Sequence, residues 1–138
     1  MDEPVRLDKT PVHLGKDAGG NSVAIPLQQF GFKPEDFESY LNHYCKEDSG
    51  LLVMQETSDA NWSHWESHPA GHELVIVISG SGTFFQKLNG RIIEMPVRAG
   101  DVVINPPGVW HTADIRETLT AIYITPCPDT CHEPRVQT

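Results

Sequence analysis

Beyond Gly50 the chain becomes a succession of short apolar or β-branched runs, LLVMQET, NWSHWES, ELVIVIS, GTFFQKL, RIIEM, DVVINP and TAIYITP, broken by Gly, Pro and Asn. Strands this short and closely spaced leave no room for crossover helices. The sheet must then be largely antiparallel and the fold an all-β sandwich or barrel. Asn89-Gly90 is the strongest hairpin signal, because both positions tolerate the positive φ of a type I′ turn. With Leu88 opposite Arg91, Gln86 opposes Ile93 and Phe84 opposes Met95 on the more apolar face, which is expected to point inward. Gln86 then becomes an inward polar group and Arg91 a residue near a mouth.

Before Gly50 the pattern differs. PVHLG and SVAIPL read as edge strands around the turn-forming DAGGN. In KPEDFESYLNHYCKEDSG, Pro34, Glu35 and Asp36 suit a first helical turn, Phe37, Tyr40, Leu41 and Tyr44 recur at helical spacing, and Gly50 lies just past the end. One amphipathic helix is expected. The 138 residues are read as a single structural domain: an arm and helix over 1–50, a β core over 51–126, and a C-terminal surface arm over 127–138.

The formal charge of −9 disfavours nucleic acid and anionic membrane surfaces as partners, which leaves a small molecule. No apolar run is long enough to span a bilayer, and Met1 to Thr10 lacks the apolar core of a secretory signal. A cytoplasmic protein is expected. Cys45, Cys127 and Cys131 are an odd number, read as reduced thiols. Cys127, Cys131 and His132 have the spacing C-x3-C-H, but without a partner pair of cysteines they do not make a zinc site.

The chemistry concentrates in NWSHWESHPAGHELVIVISG, residues 61–80, and GDVVINPPGVWH, residues 100–111. If the first is extended, His64, Glu66 and His68 point to one face. A short turn returns Glu73 to the same place and a distant strand adds His111. Two imidazoles with carboxylates facing one way suit a divalent metal. His72 should point to the other side. Trp65 and Trp110 alternate outward, where aromatic residues fit a dimer interface.

These two segments resemble the paired motifs of the cupin superfamily. Glu73, six residues and Gly80 match the end of the first motif; Gly100, Pro106, Gly108 and His111 match the second in full. Glu66 stands where the first histidine of the usual pair is found, as in a subgroup of small single-domain cupins. The resemblance implies a double-stranded β-helix, or jelly-roll, barrel with the metal at the end of a pocket lined by inner strand faces. It implies Glu66, His68, Glu73 and His111 as ligands of one divalent transition metal, Fe, Mn, Ni or Zn, with no organic cofactor. His64 is the reserve ligand. The substrate pocket is expected to be lined by His64, Phe84, Gln86, Arg91, Met95, Val109 and Tyr123, and the protein to form a homodimer.

A metal in such a pocket serves a non-haem Fe(II) dioxygenase acting on a small oxygenated organic molecule. Alternatively it serves a Lewis-acid isomerase, cyclase or lyase in which Glu66 or Glu73, whichever leaves the metal, is the base. A non-catalytic binding module remains the reading from another class. Fold does not choose among them.

Overall fold

The computed structural model describes residues 3–46, 50–127 and 130–136. Strands β1 (Val12–Lys16) and β2 (Ser22–Pro26) form the expected N-terminal hairpin, and helix α1 spans Pro34–Tyr44. Then follow β3 (Leu51–Ser58), β4 (His64–Ser67), β5 (Glu73–Leu88), β6 (Arg91–Arg98), β7 (Val102–Asn105), β8 (His111–Pro126) and β9 (Cys131–Pro134). Every pairing among them is antiparallel. The result is the β architecture expected of a jelly-roll barrel, with α1 as the α-helix among the described residues.

The register of the hairpin is as expected. Leu88 opposes Arg91, Gln86 opposes Ile93 and Phe84 opposes Met95, and Asn89 and Gly90 take φ of 52° and 76°. ELVIVIS and GTFFQKL, however, are one strand. Pairing of β5 with β8 shifts register between Val77 and Gly82, and Gly80 at φ 84° carries the irregularity. A bulge of this kind lets one strand change which face it presents. Glu73, Val75 and Val77 are buried on the first half, and Gly82, Phe84 and Gln86 on the second. A Cβ on Gly80 would collide with the Thr118 carbonyl, so glycine is required there on both counts.

Two apolar clusters hold the molecule. Val75, Val77, Phe84, Val97, Val103, Leu119 and Tyr123 fill the barrel. The second cluster packs Tyr40 of α1 against Leu27, Leu52, Cys45 and Cys127, with Phe37, Leu41 and Tyr44 around it. The helix begins at Pro34 with Glu35 and Asp36 in its first turn, and the Asp36 carboxylate accepts hydrogen bonds from the Gly31 and Lys33 amides. Its apolar stripe is thereby laid across the ends of β3 and β8.

Three expectations are corrected. Cys45 and Cys127 form a disulfide, with Cα atoms 5.3 Å apart, where three reduced thiols were expected. Packing of α1 on β8 brings together residues far apart in the chain, which counting cysteines does not reveal. The cytoplasmic expectation thereby loses one of its supports. Residues 131–134, read as part of a surface arm, form β9 and pair with β4 along its length. Trp65, expected on an outer surface, is buried, with Lys87 Nζ lying 4.3 Å from its ring centroid and Glu133 of β9 its register partner. No helix among the described residues is long and apolar enough to cross a membrane.

Candidate metal centre

The centre is assembled by strand register. Glu66 on β4 lies directly opposite His111 on β8 and, across the other edge, opposite His132 on β9. Residues abreast on neighbouring strands share a face, so these three side chains form a row. His68 follows just after β4, and Glu73 opens β5 after the Pro69-Ala70-Gly71 turn, as read from the sequence. The Glu66, His68 and His111 donor atoms lie within 4.8 Å of one another. Glu73 joins them: its Oε2 is 3.0 Å from His68 Nε2 and its Oε1 is 3.3 Å from His111 Nε2. Glu66 Oε2 stands farther off, 4.0 Å from His68 Nε2 and 3.9 Å from His111 Nε2.

The far side of each imidazole is engaged. His111 Nδ1 donates to the Val109 carbonyl at 3.3 Å, and His68 Nδ1 is 2.9 Å from Thr130 Oγ1. A carbonyl only accepts, so His111 Nδ1 carries a proton and its Nε2 is the atom turned to the centre. Both Nε2 atoms are buried without a hydrogen-bond partner. Unpartnered imidazole nitrogens converging with carboxylate oxygens fit a divalent cation of the Fe, Mn, Ni or Zn type.

The two carboxylates differ in how they are held. Glu73 is buried; Asn105 Nδ2 donates to its Oε1 at 3.0 Å and Thr125 Oγ1 to its Oε2 at 2.7 Å. Asn105 Oδ1 in turn accepts from Gln86 Nε2 at 2.8 Å. Burial works to raise the Glu73 pKa, but the His111 and His68 imidazoles outweigh it and hold the carboxyl well below the usual range. Glu66 is half-buried and its Oε1 is 3.3 Å from His132 Nε2.

A cavity of about 620 Å³ lies between α1 and the ends of β3, β4 and β8, with Glu66, His68 and Glu73 in its wall. Of the expected lining residues, Tyr123 lies in it. The others do not. Phe84 is fully buried in the barrel core, and Met95 packs against that core. Gln86 is spent on Asn105 and on the Ile104 carbonyl, Arg91 is exposed, and Val109 is half-buried in the turn whose carbonyl His111 binds. His64 is exposed and paired with Ser63, so it is not beside the centre. His72 is exposed and precedes the start of β5. The register reading was sound, but helix α1 and the tail decide where the space is.

Residues that sequence reasoning passed over include Glu56 and Trp62 in the cavity wall, Asn105 and Thr125 on Glu73, and Thr130 on His68; His132, weighed only with Cys127 and Cys131, lies instead beside Glu66. Asn105 had a signal: in DVVIN it shares the face of buried Val103 and opposes Glu73 in register. Burial raises the Glu56 pKa, helped by the Glu66 charge. Burial, then the charges of Glu56, Glu73 and Glu66, raise that of Tyr123.

The sequence pattern of the cupin domain family matches residues 52–125, more than half of the chain. No curated protein sequence matches it. Among solved structures, a Streptomyces PAC13 variant with uridine superposes at a TM-score of 0.53 with 14% identity, covering 63% of this chain and 71% of its own. A cupin-2 domain containing protein from Shewanella frigidimarina is 22% identical at a TM-score of 0.42, covering 62% of this chain and 71% of its own. A variant of Bacillus subtilis oxalate decarboxylase is 19% identical at a TM-score of 0.45, covering 61% of this chain but 23% of its own. At these identities the likeness speaks of fold and not of substrate.

Proposed function

The chain belongs to the cupin family, and from that premise we propose that it is a metal-dependent enzyme acting on a small oxygenated organic molecule, with Fe(II)-type dioxygenase chemistry as the leading reaction. The observation that carries this reading is the convergence of two buried, unpartnered imidazole nitrogens on the Glu66 and Glu73 carboxylates beside a cavity. Glu66, His68, Glu73 and His111 would hold the ion. Bound there, it supplies Lewis acidity and, as Fe(II), electrons for dioxygen chemistry.

The chain's own groups divide the work. His68 and His111 offer Nε2 because Thr130 and the Val109 carbonyl engage Nδ1. Glu73, anchored by Asn105 and Thr125, is the fixed carboxylate. Helix α1 roofs the cavity and limits water. The looser hold on Glu66 favours a second reading, a Lewis-acid isomerase, cyclase or lyase. There Glu66 Oε2 takes the proton next to a polarised carbonyl, with His132 steadying Oε1.

We assign a homodimer to the outer sheet face where Val102 and Ile104 of β7 lie in register with Ile76 and Leu74 of β5. Ile78, Val102 and Ile104 are exposed there, which makes a contiguous apolar patch. The test of function is metal content of protein purified without an affinity tag, with oxygen uptake measured on candidate substrates, for wild type and His111→Ala. About one metal per chain, lost in the variant together with turnover, supports the reading. A wild type that takes up none of Fe, Mn, Ni or Zn sinks it.

A further inference from the structure

Resting on the metal reading of Glu66, His68, Glu73 and His111, we propose that the cavity takes a small organic cation: a molecule with a protonated amine held by Glu56 and oxygen donors turned to the metal. All ten Lys and Arg residues of the chain lie among the described residues, and none of them lines the cavity. Glu38, Glu56, Glu66 and Glu73 do, Glu38 as an exposed residue of α1 in water. A divalent ion balances the charges of Glu66 and Glu73. Glu56 remains uncompensated.

Its surroundings fit that role. Glu66 and Glu73 have partners in His132, Asn105 and Thr125, whereas no hydrogen bond or ion pair holds Glu56 among the described residues. Glu56 is half-buried on β3. A carboxylate drawn partly out of water without a partner is costly, and a cationic ligand group supplies the missing partner. Trp62 and Tyr123 line the same space with ring centroids 6.2 Å apart, and aromatic rings attract an ammonium group further. His68, a lining residue with a buried Nε2 that has no hydrogen-bond partner, marks the other end of the cavity wall as built to receive a ligand. An anionic substrate would add a second negative charge beside Glu56 with no cationic side chain to meet it.

Three catechols of matched size, carrying an aminoethyl, an ethyl or a carboxyethyl chain, test this. Their affinities are measured by calorimetry on the zinc-loaded protein and by tryptophan fluorescence on the metal-free protein, for wild type and Glu56→Gln. The amine should bind about tenfold more tightly than the ethyl compound, and the carboxylate more weakly than either. In Glu56→Gln the amine should fall to within about twofold of the ethyl compound. The proposal is overturned if the carboxylate binds as well as the amine, if Glu56→Gln leaves the amine-to-ethyl ratio unchanged, or if none of the three binds. Zinc stoichiometry, measured separately, reports on the metal reading: a protein that refuses zinc yet prefers the amine loses the metal centre and keeps Glu56 as the cation site.

Discussion

Replacing Asn105 by alanine cuts the chain of donors that runs from Gln86 through Asn105 to Glu73. The side chain is 1% exposed, gives its Nδ2 hydrogen to Glu73 Oε1 at 3.0 Å and takes one from Gln86 Nε2 at 2.8 Å. Gln86 keeps a second acceptor in the Ile104 carbonyl, so it is not stranded by the change. Glu73 keeps Thr125 but loses the Asn105 donor. A hydrogen bond to a charged, buried group is worth about 1.5–3 kcal/mol, and the truncation adds a small cavity. The metal-free protein should therefore lose about 2–4 kcal/mol, or about 6–12 °C in Tm for a chain of this size. Outer partners of metal ligands typically govern about 10–100-fold in affinity, so zinc binding should weaken within that range. Calorimetry of the metal-free variant and competition against a chromophoric zinc chelator read the two effects. A double-mutant cycle with Gln86→Ala should show coupling above about 0.5 kcal/mol. Stability within about 0.5 kcal/mol of wild type together with unchanged zinc affinity would refute the relay.

His132→Ala should weaken zinc binding only about two- to fivefold, because the histidine is half in water and its contact with Glu66 is long at 3.3 Å, and His132→Gln should restore most of it. A loss as large as that of His111→Ala would make His132 a ligand instead. Tyr123 is held neutral by burial and by Glu56, Glu73 and Glu66, so its raised pKa contributes stability that is present below about pH 10 and lost as pH rises further. One tyrosine should ionise only as the protein unfolds in alkali, and that event should vanish in Tyr123→Phe; ionisation of every tyrosine in the folded protein would contradict it. Ile104→Glu should convert a dimer to a monomer in sedimentation while leaving zinc affinity unchanged. A wild type that sediments as a monomer, or a variant that still dimerises, removes that face as the interface.

What was legible in the chain was whatever depends on local period and spacing. The alternation of His64, Glu66 and His68, the Asn89-Gly90 turn and the helical stripe of Phe37, Tyr40, Leu41 and Tyr44 are set by neighbours a few residues apart, and each element formed where its pattern placed it. The cupin motifs extended that reach to the meeting of His111 with Glu66, His68 and Glu73. His64 marks the limit: it shares the period of Glu66 but lies beyond the cavity, because alternation assigns a face and not a depth.

Tertiary structure alone decided which groups surround those ligands. Strand packing set the inward Gln86 on Asn105, the pairing of β9 with β4 carried His132 to Glu66, and α1 closed the cavity against Glu56 and joined Cys45 to Cys127. These are contacts between segments distant in the chain, set by packing and strand order rather than by the composition of either segment. Sequence determined the candidate ligands and the strands that present them; the fold determined the charge, shape and support of the space they face.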